Sequence, residues 1–361
     1  MTSSVYTAIG LMSGTSMDGV DAALIRTDGE AFVETGPSAF VPYPVLVRAA
    51  IRSLLGSDAR SPEQAEVERT LTEIHASAVS KLLKENGINI GNIDIIGFHG
   101  HTVLHRPEIR RTWQIGDGDW LARSLGCDVV ADFRTADVTA GGQGAPLAPL
   151  FHAALSADLI KPLAVVNIGG VANVTWIGDE RLLAFDTGPG NGLLDDWVSG
   201  HGQGPYDADG AIAARGLADP HLLTELLSAP YFRRAPPKSL DRLDFDLAGM
   251  DGLSLEDGAA TLAGFTVGAV MSAREHFPEP ARRWLVTGGG RHNRYIMSLL
   301  RAGLRQPVDP VEAVGWQGDA LEAQAFAYLA VRSLRGLPLS LPATTGVAQP
   351  TSGGVLFRSA S

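Results

Sequence analysis

One pattern constrains this chain more than any other, because it occurs twice. VYTAIGLM reads as a strand running into a Gly-rich turn, VDAALIRT as a second strand ending in the hairpin signal Asp28-Gly29, and EAFVETG as a third, antiparallel to its neighbour. From Leu163 the order recurs. LAVVNIGG is a strand into a Gly turn, VANVTWI a second strand, Gly178-Asp179 a hairpin turn, and RLLAFDTGPGN a third strand ending in a polar loop. A topology repeated in this way predicts two similar α/β halves facing each other across a cleft. The length of 361 residues suits two to three domains of about 150 residues each.

The segments between the repeats fill in the α/β character. A helical pattern covers Pro44 to Leu55. A second runs from Ser61 to Asn86, with Ser61 as N-cap, Pro62 at the first helical position, Gln64 closing a capping box and Gly87 as the stop. IDIIGFHG, WQIGDG and DVVADF are short apolar runs that end at Gly or polar residues, as buried strands do. Asp207 to Arg274 is mainly helical, with Ser254 capping a helix and Asp257 three residues on. RRWLVTGGG is a strand entering a Gly-rich loop, and a last helix spans about Gly318 to Leu334.

Composition excludes several classes of function. There are 29 Lys plus Arg against 40 Asp plus Glu, a formal charge of -11, the wrong sign for a protein that neutralises nucleic-acid phosphates. The single cysteine, Cys127, cannot form an intrachain disulfide and fits a reducing cytoplasm. No Lys or Arg precedes Arg26, so the basic start of a signal peptide is missing and a cytoplasmic location is expected. The uncharged stretch Gly336 to Phe357 carries three prolines and four glycines, which predicts loop rather than a membrane span. Whether the chain pairs as a homodimer is left open.

Three Gly-rich loops carry the chemistry. GLMSGTSMDGVD, Gly10 to Asp21, joins two strands, and its small residues let main-chain N–H groups and the Ser13, Thr15 and Ser16 hydroxyls approach phosphate oxygens. It matches neither a Walker loop nor a dinucleotide fingerprint, for it lacks the Lys and the strand-to-helix context. Asp18 is placed to hold Mg²⁺ through water; the structural alternative is a hydroxyl-capped hairpin turn. NIGGVANVT offers Gly169, Gly170 and Asn173 as a second phosphate-facing loop, and TGGGRHN supplies a third before a helix. Together the first two suggest a triphosphate held from both sides.

Asp186, at the polar end of a strand in FDTGPGN, is placed to accept a proton from a nucleophile attacking a phosphoryl group or a sugar carbon. Its alternative is a turn that caps the next helix. HGHTVLH puts three histidines in seven residues, but the spacing is not that of a helical metal pair and no Cys or acidic partner lies within it. Hydrogen bonding to a polar substrate fits His99 and His101 better. DFRTADVTAGGQGAPL adds Arg134, Asp137 and Gln143 on a Gly-rich connection ahead of a helix; Arg134 has a structural alternative as ion-pair partner of Asp132 or Asp137.

GLMSGTSMDGVDAALI, HGHTVLH, QIGDG, TAGGQGAPL, NIGGVANVT, FDTGPGN and TGGGRHN, in this order and over almost the whole chain, resemble the 1,6-anhydro-N-acetylmuramic acid kinase family. The resemblance implies a two-domain α/β actin/hexokinase/Hsp70-like (ribonuclease H-like) fold with ATP in the interdomain cleft. It implies domains of residues 1–140, with 316–361 packing back on them, and 141–315. It further implies an enzyme of cell-wall recycling that opens a 1,6-anhydro bond with water and phosphorylates O6 using ATP and Mg²⁺. Carried over by position, the phosphate loop is Gly14, Thr15, Ser16, Met17, Asp18, Gly19, Val20 and Asp21, with Gly169, Gly170, Asn173, Gly288, Gly289, Gly290 and Asn293 as further nucleotide contacts. Asp186 is the general base, and His99, His101, Arg134, Gln143 and Glu322 face the sugar. Two departures stand out: His101 occupies a position usually held by Gln, and LDRLDFD follows Pro236-Pro237-Lys238-Ser239 where TGRE is common.

Other readings are kept beside this one. They are a kinase of a plain anhydrosugar such as levoglucosan, an ATP-independent glycosidase using Asp186 and Glu322 as its carboxylate pair, and a silent nucleotide-binding sensor on the same fold.

Overall fold

The computed structural model describes residues 4–14, 16–58, 61–240, 245 and 247–359. The chain divides into two compact units, Met1–Asp158 with Ala320–Ser361, and Leu159–Asp319. In the first unit, β1 (Tyr6–Met12), β2 (Gly19–Thr27) and β3 (Val33–Pro42) form an antiparallel meander. β4 (Ile95–Phe98) pairs parallel to β1. After a separate hairpin of β5 (His101–Arg106) and β6 (Arg111–Ile115), β7 (Val129–Ala131) pairs parallel to β4.

The second unit repeats this arrangement. β8 (Leu163–Ile168), β9 (Val171–Ile177) and β10 (Leu182–Pro189) are antiparallel in sequence; β11 (Arg283–Thr287) pairs parallel to β8, and β12 (Val308–Pro310) parallel to β11. The strand orders β7-β4-β1-β2-β3 and β12-β11-β8-β9-β10 are therefore the same path drawn twice. This is the actin/hexokinase/Hsp70-like, ribonuclease H-like α/β fold.

Each sheet is buried between helices, which explains the near-continuous apolar strands. In the first unit Leu71, Val79 and Leu82 of helix Pro62–Asn86 join the core with Ile9, Leu11, Ile96 and Phe98. Helix Leu321–Leu334 packs on β1, β2 and β4. Gly10 and Gly97 stand in register on β1 and β4, and a side chain at either would meet that helix's backbone at Ala323 or Phe326. In the second unit helix Leu255–Ser272 closes over Val174 and Phe185.

Local sequence signals match the observed ends. Ser61 accepts the Gln64 N–H while the Gln64 side chain accepts the Ser61 N–H, and Gly87 takes the left-handed conformation at φ 63°. Ser254 accepts the Asp257 N–H at 3.0 Å.

Three expectations change. The first boundary moves from 140/141 to 158/159, because helix Pro149–Leu155 puts Phe151 against Tyr328 at 5.6 Å and the Gln143 N–H donates to Thr345 O at 2.6 Å. The return to the first unit moves from 316 to Ala320, since Asp319 stays with Arg291 at 2.7 Å. Gly336 to Phe357 is not all loop: β13 (Val355–Phe357) adds to β7 antiparallel. Among the described residues no helix is long and apolar enough to cross a membrane.

Candidate active site

The turn between β1 and β2 holds the residues expected to form the first phosphate loop. Met17 takes φ 53° and its N–H donates to Gly14 O at 3.0 Å, folding the loop tightly. Met17, Gly19 and Val20 are buried, whereas Ser16 and Asp18 are exposed. Thr15 lies outside the described residues. Ser16 Oγ donates to Asp18 Oδ1 at 2.6 Å, and Asp21, on β2, is half-buried.

Tyr43 ties this loop at two points. Its N–H donates to Asp18 O at 2.9 Å, and its hydroxyl donates to Ser13 Oγ at 2.8 Å. Ser13 Oγ in turn lies 2.9 Å from His101 Nδ1. Burial holds the Tyr43 hydroxyl protonated and pushes His101 down to about 4, so the imidazole is neutral at pH 7. Ser13 Oγ carries one proton and two lone pairs, so with Tyr43 donating to it, it still meets Nδ1 as donor or acceptor according to the ring tautomer.

A second network joins His99, Arg134 and the Gly141–Gly144 turn. Arg134 Nε donates to His99 Nε2 at 3.0 Å, and its Nη1 donates to Gly144 O at 2.6 Å. Burial and the Arg134 charge together hold His99 well below its ordinary value. Asp137 accepts the Gly144 N–H at 2.6 Å and the Thr345 hydroxyl at 2.5 Å, fixing the turn on which half-buried Gln143 sits. His99, Gln114, Asp132 and Thr135 border a cavity of about 220 Å³. Glu322 is half-buried in the first turn of helix Leu321–Leu334.

In the second unit the strands bring the chemistry into one row. Asp186 on β10 is in register with Asn173 on β9, Asn173 with Asn167 on β8, and Asn167 with Thr287 on β11. Residues in register share a face, so four polar side chains line one level of the sheet. Asp186 is 6% exposed, and its Oδ2 accepts the Leu240 N–H at 3.0 Å.

The loops around this row are pinned by their carbonyls. Gly169 O accepts the Asn191 N–H at 2.6 Å and Gly170 O accepts the Gly190 N–H at 3.0 Å. Gly288 has φ 74°, and a Cβ there would collide with Asn167 Oδ1 and Ile168 O. At Gly289 and half-buried Gly169 a Cβ would make only ordinary contacts, with Asn191 Nδ2 at 3.5 Å and Val171 O at 3.6 Å. Asn293 caps helix Arg294–Leu304, its Oδ1 accepting the Ile296 N–H at 3.0 Å.

Arg291 is a residue that sequence reasoning passed over. It is buried, pairs with Glu312 at 2.8 Å and Asp319 at 2.7 Å, and donates to Gly288 O at 3.0 Å, so it shapes buried Gly290 and its neighbours. Its position within TGGGRHN was the available signal.

No group of three or more His, Cys, Asp or Glu side chains converges as a metal site among the described residues. A magnesium ion carried by phosphates needs less. One exposed carboxylate, Asp18, beside a main-chain loop fits an ion that keeps its waters and takes its remaining ligands from the nucleotide.

The sequence pattern of the family described as anhydro-N-acetylmuramic acid kinase matches residues 6–359. The chain belongs to that family. It is 56% identical over 358 residues to the anhydro-N-acetylmuramic acid kinase of Rhodospirillum rubrum, covering 98% of this chain and 95% of that one. To the anhydro-N-acetylmuramic acid kinase of Acidiphilium cryptum it is 56% identical over 359 residues, covering 97% and 98%. Among solved structures, component A of the (R)-2-hydroxyglutaryl-CoA dehydratase of Acidaminococcus fermentans superposes with TM-score 0.50 at 12% identity, over 91% of this chain and 99% of that one. That likeness bears on the fold alone. Membership of the anhydro-N-acetylmuramic acid kinase family makes the chain a phosphotransferase with an alcohol acceptor.

Proposed function

We propose that this kinase hydrolytically opens the 1,6-anhydro ring of 1,6-anhydro-N-acetylmuramic acid and transfers the γ-phosphoryl of ATP to O6, giving N-acetylmuramic acid 6-phosphate in cytoplasmic cell-wall recycling. The observation that carries this reading is the Asp186 carboxylate, sequestered at the end of β10 and fixed by a main-chain N–H in a chain matched along its length to the family. Asp186 takes a proton from the water that attacks the anomeric carbon, as O6 leaves toward the phosphorus. The phosphates are held by main-chain amides of the Gly14–Asp21, Gly169–Gly170 and Gly288–Gly290 loops. Asp18 would hold Mg²⁺, which when bound would neutralise charge on the phosphates. His99, His101, Arg134, Gln143 and Glu322 are assigned to the sugar, with Arg134 and His99 acting as one hydrogen-bonded unit.

The test is an ATP-consumption assay with 1,6-anhydro-N-acetylmuramic acid and, in parallel, levoglucosan, with the product identified by mass spectrometry. The expected result is one ADP per N-acetylmuramic acid 6-phosphate, with levoglucosan far poorer. Ring opening without nucleotide, or ADP release indifferent to the sugar, contradicts the assignment.

A further inference from the structure

The segment from Tyr231 to Leu240 touches Asp186 at every polar group of its main chain and at its carboxylate. The Tyr231 hydroxyl donates to Asp186 O at 2.5 Å, the Asp186 N–H donates to Lys238 O at 3.0 Å, and the Leu240 N–H donates to Asp186 Oδ2 at 3.0 Å. What closes the segment on itself is Lys238. Its Nζ donates to Tyr231 O at 3.1 Å and Phe232 O at 3.4 Å, and lies 4.6 Å from the Tyr231 ring centre and 5.6 Å from that of Phe185, the residue before the base. Lys238 is 2% exposed, and among the described residues its ammonium meets carbonyls and aromatic faces rather than a carboxylate. Burying a cation this way is costly. Burial, with the Arg234 charge adding to it, pushes the ammonium down to about 8, and burial first, then the Lys238 charge, lowers His276 nearby.

We propose that Lys238 and Tyr231 are positioning residues for the general base: the ammonium locks the Tyr231–Leu240 segment into a clamp whose hydroxyl and Leu240 N–H fix the direction and basicity of the Asp186 carboxylate. This rests on the role assigned to Asp186 above. A displacement of about 1 Å in a reacting group can cost on the order of a hundredfold in rate, and an N–H donated to a carboxylate favours its ionised form. The clamp therefore acts on kcat and on the Asp186 titration, and not on ATP binding.

The test uses the full-length protein with Lys238→Met and Tyr231→Phe, the second removing a single oxygen in case the first misfolds. Steady-state kinetics, thermal melting and ¹³C-carboxyl titration of aspartate-labelled protein, with the Asp186 resonance identified by its loss in Asp186→Asn, are measured together. Both variants are expected to melt cooperatively, keep KM for ATP within about twofold and lose at least about tenfold in kcat. The Asp186 midpoint should move to higher pH. A kcat within twofold of native, or a loss of kcat that tracks loss of folded protein while the Asp186 midpoint stays put, overturns the proposal. The titration needs no turnover, so a native protein inactive on the sugar contradicts the proposed reaction and still leaves the clamp decided by the resonance.

Discussion

Ser13 Oγ, one residue past the end of β1, lies 2.9 Å from His101 Nδ1 on β5, with the Tyr43 hydroxyl on the same oxygen. Ser13→Ala leaves two buried polar groups without their partner, at a cost of about 1–3 kcal/mol. Since Tyr43 also holds the Asp18 carbonyl, the phosphate loop loosens and KM for ATP rises several-fold. Denaturant unfolding and ATP titration of the variant measure both effects; lost stability with an unchanged KM confines the network to the fold.

Four buried histidines set the acid limit of the fold. Burial pushes His75, His101 and His152 down to about 4, against an ordinary 6.5, and burial with the Arg134 charge holds His99 well below that ordinary value. Between these values the unfolded chain binds more protons than the folded one, so stability is intact above pH 6.5 and falls as pH drops toward 4. Each histidine contributes a slope of up to about 1.4 kcal/mol per pH unit. Thermal melts from pH 7.5 to 4.5 should show a steepening loss below 6.5; a flat melting temperature over that range contradicts neutral burial.

Gly288→Ala forces a side chain onto φ 74° and into Asn167 and Ile168. The backbone cost is roughly 1–2 kcal/mol, with the collision added to it. We expect a melting temperature several degrees lower and weakened nucleotide binding, read by calorimetry with a non-hydrolysable ATP analogue. An alanine variant that binds the analogue like the native protein removes this loop from the nucleotide site.

Asp18→Asn keeps the shape of the first loop and removes its exposed charge. The Mg²⁺ concentration for half-maximal activity should rise at least about tenfold, since a water-mediated ion is held mainly by charge. The fold should be unaffected, because Asp18 is on the surface and its carbonyl still accepts the Tyr43 N–H. An unaltered Mg²⁺ dependence places the ion elsewhere.

The repeated sheet was legible because its signals are local: an apolar run, a Gly turn and a hairpin residue mark each strand wherever the strand later packs. The capping residues Ser61, Gly87 and Ser254 were legible for the same reason. What stayed hidden depends on contacts distant in sequence. Residues 141–158 join the first unit through Phe151 on Tyr328 and Gln143 on Thr345, and nothing near residue 141 announces partners some two hundred positions on. Nothing beside Lys238 in the sequence announces the Tyr231 and Phe185 rings that the fold brings to its ammonium. HGHTVLH shows three histidines suited to a polar substrate, but not that it holds strand β5, on which His101 is buried and neutral. Of the departure LDRLDFD, residues 241–244 and 246 lie outside the described residues.

The rate of sugar-dependent ADP release by Asp186→Asn tests the central claim most directly. Removal of the base should lower kcat by roughly 10² to 10⁴ while the variant still binds ATP. A variant turning over within tenfold of the native enzyme, at saturating sugar and ATP, contradicts the role given to Asp186.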